Sequence, residues 1–157
     1  MNTNFLITKD FDRLSLHDSG VEKFYKEGEN TIIEFDWSFL KNYSENGIDE
    51  GIVLGKTIMK VKSYKNEKFR LDYSGTANFK NKKPEYIIYN QNLFNFWDVI
   101  MENSTDENNN SFKISGFYED NIFCWIDWTF EFESIEISWK NHVLHKDWLN
   151  GHLVIEK

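Results

Sequence analysis

Apolar and polar residues alternate along much of the chain, which is the pattern of β-strands with one buried face. Residues 22–26 and 31–39 flank a turn at residues 28–30 that contains Gly28, and they predict a first hairpin. In its second strand the apolar positions share one face, namely Ile33, Phe35, Trp37 and Phe39. We therefore expect this strand to place one face in the core and to leave an acidic face outside.

The same alternation predicts two further hairpins. Residues 52–62 and 68–74 flank a polar turn at residues 64–67, and residues 112–117 and 122–132 flank a turn at residues 119–121. The alternation shifts phase at Glu133-Ser134 and resumes through residues 135–139, which predicts a bulge or a tight turn between the two runs. A short strand is expected at residues 86–89, after the single proline Pro84.

The period changes near Asn92. Apolar residues then recur at helical spacing, at Leu93, Phe96, Trp97 and Ile100. This spacing predicts a helix over residues 92–101 that packs on the sheet. Residues 102–110, ENSTDENNN, are too polar to pack and predict a mobile loop. Near the end of the chain we expect a short helical turn within residues 143–149 and a strand at residues 153–155.

Together these elements predict a single domain over residues 1–157, mainly β with an α+β character. We expect an antiparallel sheet, or a two-sheet sandwich, of about seven to nine strands with one helix packed on a face. The 17% aromatic content, with 6 Trp and 14 Phe, supplies the apolar area for a core. Trp37 and Trp128 occur in similar segments, FDWSF and IDWTF, and each lies in phase with apolar neighbours. Both are expected to be buried on equivalent sheet faces.

Charge and cysteine content limit the class of protein. The net charge of −8 disfavours nonspecific attraction to nucleic acid or to anionic lipid, and it favours a basic partner. Cys124 is the only cysteine, so neither an intrachain disulfide nor a cysteine-rich zinc site can form. No apolar run is long enough to cross a membrane, and the first ten residues lack the apolar region of a signal peptide. We expect a soluble, cytoplasmic protein.

Basic residues concentrate in one segment. Nine of them fall between Lys56 and Lys83, where the only acidic residues are Glu67 and Asp72. An anion-binding face is one interpretation. Neither phosphate-binding glycines nor exposed interleaved aromatic residues accompany these lysines, so we interpret them instead as solubilising residues that protect strand edges.

The segment Leu16-His17-Asp18-Ser19-Gly20 contains the residue types of a hydrolytic triad. Neighbours in sequence cannot converge as a triad requires, and no Gly-x-Ser-x-Gly motif is present. We therefore interpret Asp18-Ser19-Gly20 as a turn before the first strand. A ligand site or a weak enzyme built on His17 and Asp18 is the alternative.

A second candidate for chemistry is the set His142, His145, Asp147 and His152. Imidazole and carboxylate groups at this spacing could bind Zn²⁺ or Ni²⁺. The two-histidine spacing of zinc peptidases is absent, so an exposed turn without metal is the simpler interpretation. The chain also lacks a dinucleotide fingerprint and a phosphate loop. We expect no bound cofactor and a monomer or weak dimer.

Closely spaced carboxylates are the third candidate. Glu34 and Asp36 point to one side of their strand, as do Glu131 and Glu133 of the later strand. Glycosidases use paired carboxylates, but here the aromatic residues occupy the opposite face, which indicates a solvated acidic surface. We predict that this surface, with Asp127 added to those four residues, binds a protein partner. Cys124 lies in the apolar phase and is expected to be an inert core thiol.

The segment from Leu16 to Phe24, LHDSGVEKF, followed by the strand IIEFDW at residues 32–37, resembles small uncharacterised bacterial proteins. These begin with an L-H-D-S/C-x-V/I segment before a hairpin, and some look like immunity proteins of toxin systems. The match covers about the first quarter of the chain and carries no catalytic residues. The resemblance implies a binding protein, specifically an immunity protein that neutralises a basic toxin domain.

Overall fold

The computed structural model describes residues 4–156. Within this part of the chain, fourteen strands form three antiparallel sheets. Sheet 1 contains, in spatial order, β1 (Phe5–Ile7), β13 (Ser134–Trp139), β7 (Thr57–Lys62), β4 (Asn30–Phe35) and β3 (Val21–Glu27). Sheet 2 contains β10 (Trp97–Asp106), β11 (Ser111–Asp120), β12 (Ile122–Glu131), β8 (Lys65–Asp72) and β9 (Glu85–Ile87). Sheet 3 contains β14 (His142–Leu144), β6 (Ile52–Leu54), β5 (Ser38–Leu40) and β2 (Leu14–Ser15).

Sheet 3 is the bent continuation of sheet 1. Three neighbouring strands of sheet 1 each break for two residues and continue as a strand of sheet 3, in the same spatial order. We call the line of these breaks the crease; it consists of Asp36-Trp37, Gly55-Lys56 and Lys140-Asn141. On one side of it Thr57 pairs with Phe35 and Trp139. On the other side Leu54 pairs with Ser38 and His142.

Sheets 1 and 2 are joined where two adjacent strands change sheet. β7 leads into β8 through residues 63–64, and β12 leads into β13 through residues 132–133. The two links lie side by side, because the Glu133 N–H donates to the Lys62 carbonyl oxygen at 2.9 Å. The predicted phase shift at Glu133-Ser134 therefore marks the passage of the chain from one sheet to the other.

One cluster of buried residues fills the space between the sheets. Trp128 lies at its centre and is fully buried, as predicted. Its ring centroid is 5.4 Å from that of Phe24 in sheet 1 and 5.3 Å from that of Phe69 in sheet 2. Its indole N–H donates to the Tyr64 hydroxyl at 3.0 Å. The mainly β fold class predicted from the alternation is confirmed.

Two of the predicted hairpins are confirmed, and one is wrong. β3 pairs with β4 around Gly28, whose φ of 66° suits glycine, and β11 pairs with β12. β7 and β8, by contrast, do not pair with each other. β7 lies between β4 and β13, whereas β8 lies between β9 and β12. In place of the expected turn at residues 64–67, a link at residues 63–64 carries the chain between sheets, and residues 65–67 already belong to β8.

The predicted helix over residues 92–101 is wrong beyond its first turn. Helix α1 spans only Leu93–Phe96, and β10 begins at Trp97. Irregular pairing with β11 between Trp97 and Val99 and between Ile100 and Glu102 turns both Trp97 and Ile100 inward. A bulge in a strand can thus reproduce the three-residue spacing of a helix. Part of the predicted loop, residues 102–106, belongs to β10, whose position at the sheet edge tolerates polar side chains.

The prediction for Trp37 is also wrong. The strand breaks at Asp36-Trp37, so the alternation reverses: Ser38 and Leu40 are buried, whereas Trp37 is only half-buried. Near the end of the chain, residues 142–144 form a strand and helix α2 spans His145–Leu149, while the expected strand at residues 153–155 is absent. Residues 4–156 contain no helix with the length and apolar character needed to span a membrane.

Candidate functional site

The five carboxylates predicted to form one acidic surface lie in different parts of the fold. Glu34 is on β4 of sheet 1 and Asp36 is in the crease, whereas Asp127 and Glu131 are on β12 of sheet 2. Glu133 lies in the link between the two sheets. The residues therefore do not form a continuous face, because the strands that carry them belong to separate sheets. A role for each of them in partner binding stays a prediction.

Glu34 and Asp36 each have local partners. Only 8% of Glu34 is exposed, and its Oε2 lies 3.8 Å from Lys23 Nζ. The Asp36 side chain accepts hydrogen bonds from the backbone N–H groups of Gly20 and Trp37, at 2.8 and 2.9 Å. These bonds satisfy amides where the strand breaks, so Asp36 has a structural role in the crease.

Glu131 and Glu133 are likewise engaged with neighbours. Glu131 accepts a hydrogen bond from the Asn66 side-chain amide. Glu133 lies 3.6 Å from Lys62 Nζ and accepts a hydrogen bond from the Ser63 hydroxyl at 3.2 Å. Both carboxylates thus contact polar groups at the end of β7, at the start of β8 or in the link between them.

Asp127 occupies the middle of the outer face of sheet 2, between Ser115 on β11 and Arg70 on β8. Its Oδ1 accepts hydrogen bonds from the Ser115 hydroxyl at 2.6 Å and from the Trp125 indole N–H at 2.9 Å. Arg70 and Lys113 each place a cationic nitrogen 3.6 Å from the carboxylate. Only 14% of the Asp127 side chain is exposed, and Asp72 Oδ2 lies 3.3 Å from the Arg70 guanidinium, so two carboxylates balance the two cations of this network.

Aromatic side chains lie beside this network on the same outer face. Phe117 stacks on Phe123 with ring centroids 5.1 Å apart and meets Trp125 edge-on at 5.6 Å. Phe123 is 46% exposed, and the other two rings are half-buried. We use the term aromatic face for these three rings together with Asp127 and Arg70. Tyr86, which is 65% exposed, borders it next to Arg70 on β9.

Two exposed carboxylates, Glu102 and Glu119, lie at the rim of the aromatic face. In the strand register Glu119 lies opposite Phe123 and Glu102 lies opposite Ser115, so both side chains are on the same side of the sheet as Asp127. Both are exposed, and neither has a cationic partner within 4 Å among residues 4–156. The centre of this face is therefore neutral and partly apolar. Its rim carries negative charge at Glu102 and Glu119 and positive charge at the exposed Lys68 on β8.

The sequence interpretation missed the aromatic face, although a signal was present. Phe123 and Trp125 have the same parity as Asp127 along β12, so simple alternation already places all three outside the core. The contribution of Arg70 could not be found in this way, because it depends on β12 pairing with β8, which is far away in sequence.

His17 and Asp18 lie in a tight structural turn. His17 Nδ1 is 2.8 Å from the Met101 carbonyl oxygen, and the Asp18 N–H donates to the Ile100 carbonyl oxygen at 2.8 Å. The Ser19 hydroxyl, which is buried, donates to the Leu16 carbonyl oxygen at 2.6 Å. His17 and the Asp18 backbone thus attach this turn to β10, whereas the Ser19 hydroxyl closes the turn itself. His17 Nε2 lies 3.5 Å from Asp18 Oδ2, but the serine hydroxyl bonds the Leu16 carbonyl oxygen, so no nucleophile–base pair is formed.

The histidines near the end of the chain also do not converge. His142 Nδ1 accepts a hydrogen bond from the Trp139 indole N–H at 3.0 Å, and burial lowers the pKa of His142. His145 stacks on Trp148 instead, with centroids 6.0 Å apart. Among the described residues, no group of three or more His, Cys, Asp or Glu side chains is arranged to hold a metal ion.

Cys124 lies in the core, and the residues of the basic segment do not form one surface. Cys124 is buried, and burial raises the pKa of its thiol to about 11, as suits a core residue. The basic segment is split between the outer faces of sheets 1 and 2, because β7 and β8 belong to different sheets. The aromatic face is therefore the candidate functional site.

No protein-family model, curated protein or solved structure matches this chain.

Proposed function

We propose that this protein binds a basic protein partner in the cytoplasm and does so through the aromatic face. The observation that carries the proposal is the arrangement of Trp125, Phe117 and Phe123 beside a preordered Arg70–Asp127 network. Tryptophan, tyrosine and arginine dominate the binding energy of protein interfaces, and an ordered side chain loses little entropy when it is covered.

The charge distribution supports a basic partner. Protein interfaces commonly have a well-packed centre and a polar rim. Here Glu102 and Glu119 place negative charge on the β10–β11 side of the rim, and the whole chain carries a net charge of −8. Such a surface attracts a positively charged protein and repels acidic ones, which raises the association rate and the selectivity. Neutralisation of a basic toxin domain, the role of an immunity protein, fits this chemistry and the resemblance of the N-terminal segment.

Site-specific photocrosslinking in the native host tests the proposal. A photoreactive phenylalanine analogue replaces Phe123 in one variant and Tyr25 in the control variant. Tyr25 is the matched control because it is also an exposed aromatic residue, 42% exposed, but lies on the outer face of sheet 1. We expect one basic protein to be crosslinked from position 123 and not from position 25.

A second substitution distinguishes binding at the aromatic face from nonspecific crosslinking. Trp125→Ala, introduced together with the crosslinker at position 123, should abolish the adduct while the circular dichroism spectrum stays unchanged. Equal adducts from positions 123 and 25 would contradict the proposal. An acidic crosslinked partner would contradict the charge argument, and in that case the immunity role would be wrong as well.

A further inference from the structure

At the crease the backbone amide of Lys56 has no strand partner. Gly55 and Lys56 separate β6 from β7 and take no part in the pairing of either sheet. The Gly55 N–H donates to the Asn141 carbonyl oxygen at 2.9 Å. The Lys56 N–H instead donates to Oε1 of Glu156, a residue 100 positions away in sequence, at 2.5 Å. The Glu156 carboxylate thus accepts the hydrogen bond of the Lys56 amide, which the bend in the sheet removes from strand pairing.

The crease is shaped and charged to hold that carboxylate. Oε2 of Glu156 accepts a second hydrogen bond, from the Asn141 side-chain amide at 3.1 Å. A side chain at position 55 would place Cβ only 2.9 Å from Glu156 Cδ, so the close approach requires Gly55. A cavity of about 400 Å³ adjoins the carboxylate, and its lining includes Lys23, Lys56 and Lys140 as well as Glu34. Lys23 lies 3.8 Å from Glu34 and Lys56 lies 3.3 Å from Glu22, so these two lysines are already balanced by carboxylates.

The segment that delivers Glu156 is otherwise held loosely. Residues 153–156 have no regular secondary structure, and within the described chain their backbone groups make no hydrogen bond. Leu153 is 71% exposed and Ile155 is 68% exposed, whereas Val154 is half-buried against the crease beside Gly55. Two side chains two positions apart, Val154 and Glu156, therefore make the specific contacts.

We propose that the crease is a binding site for an extended peptide segment of a partner protein, in which an apolar residue is followed two positions later by a glutamate. Residues 153–156 occupy this site as a ligand supplied by the same chain. The carboxylate is recognised by the Lys56 N–H and by Asn141, and Lys140 in the cavity lining adds a positive charge that favours an anion. The apolar side chain is recognised in the groove that Trp37, Leu54 and Trp148 line.

Because residues 153–156 occupy the crease, they limit the access of a partner peptide to it. A segment tethered to its own site competes at an effective concentration set by the tether, so an incoming peptide binds only the fraction of molecules whose crease is free. Loss of the Glu156 carboxylate should raise that fraction. This site is separate from the aromatic face, so the two proposals can fail independently.

Fluorescence anisotropy with a labelled peptide tests the inference on the full chain. The probe is the peptide Gly-His-Leu-Val-Ile-Glu, blocked at both ends so that its glutamate carries the only carboxylate. We expect Glu156→Ala to bind this probe at least about tenfold more tightly than the unsubstituted protein, because the crease is then mostly free. Ile155→Ala is the matched control from the same segment, and we expect it to leave the affinity of the unsubstituted protein unchanged.

Two further measurements decide whether the crease itself is the site. The same peptide with Gln in place of Glu should bind Glu156→Ala at least about tenfold more weakly, since the charge-assisted hydrogen bonds are lost. Gly55→Ala combined with Glu156→Ala should abolish binding without changing the circular dichroism spectrum. Equal affinity of the unsubstituted protein and Glu156→Ala, or equal binding of the two peptides, would overturn the proposal.

Discussion

Replacement of Asp127 tests whether its carboxylate holds the aromatic face in place. Asp127→Ala removes the acceptor for Ser115 and Trp125 and takes a counter-ion from Lys113 and Arg70, of which Arg70 keeps Asp72 at 3.3 Å. A hydrogen bond to a charged group contributes about 1.5–3 kcal/mol, and the partial exposure of this site favours the lower value. Two such bonds give an expected loss of about 3 kcal/mol in the free energy of unfolding.

Asp127→Asn is the matched comparison. Both hydrogen bonds end on the same oxygen, Oδ1, so an asparagine can accept both with its amide oxygen. Neutral hydrogen bonds are about half as strong as charge-assisted ones, so we expect a loss of about 1.5 kcal/mol.

Urea denaturation and the Trp125 indole N–H resonance measure these effects. With a urea dependence of about 2 kcal/mol per M, the midpoint should fall by about 1.5 M for the alanine variant and by half of that for asparagine. The indole N–H should lose its protection from hydrogen exchange only in the alanine variant. An unchanged midpoint for Asp127→Ala would refute the reasoning, as would equal damage from Asn and Ala.

Three other outcomes are expected. Trp128→Ala should cost about 3–5 kcal/mol in chemical denaturation, whereas Trp37→Ala should cost about 1 kcal/mol because its ring is only half-buried; similar losses would contradict this assignment. Burial lowers the pKa of His142 in the folded state, so its contribution to stability is complete above the unfolded-state value near 6.5 and is lost as the pH falls through the lowered pKa. His142→Asn keeps an acceptor for the Trp139 indole and should flatten that decline in denaturation midpoints measured from pH 7 to pH 5. Cys124 should react with iodoacetamide at pH 8 only after unfolding, because burial holds its thiol pKa near 11, and rapid labelling of the folded protein would show an open core.

Local alternation was sufficient to predict the elements whose partners are close in sequence. The β3–β4 and β11–β12 hairpins need only a turn and two strands in phase, and the burial of Trp128 follows from that phase. The failures occurred where a strand bends. At the crease the phase reverses between Phe35 and Ser38, and in β10 a bulge places Trp97 and Ile100 on the same side. Neither the break at the crease nor the bulge in β10 can be recognised from the two-residue alternation of the sequence.

The candidate site shows the same limit. Parity along β12 places Trp125 and Asp127 on one outer face, so half of the aromatic face could be read from local sequence. Arg70 joins it only because β8 pairs with β12, and the Glu156 carboxylate reaches Lys56 across 100 residues. Such long-range pairing depends on which strand edges remain open after the local hairpins form, and residue spacing does not encode that.

The place of β13 in sheet 1 has a consequence for how the protein can be synthesised. β13 is the second-to-last strand along the chain, yet it lies between β1 and β7, which are made much earlier. While the ribosome is still producing residues before 134, β1 has no neighbour in sheet 1 and one edge of β7 is open. Unpaired strand edges are templates for association with other chains. The nascent protein therefore remains vulnerable to aggregation until β13 emerges, and premature termination before residue 134 would release a chain in which β1 and β7 lack their shared neighbour.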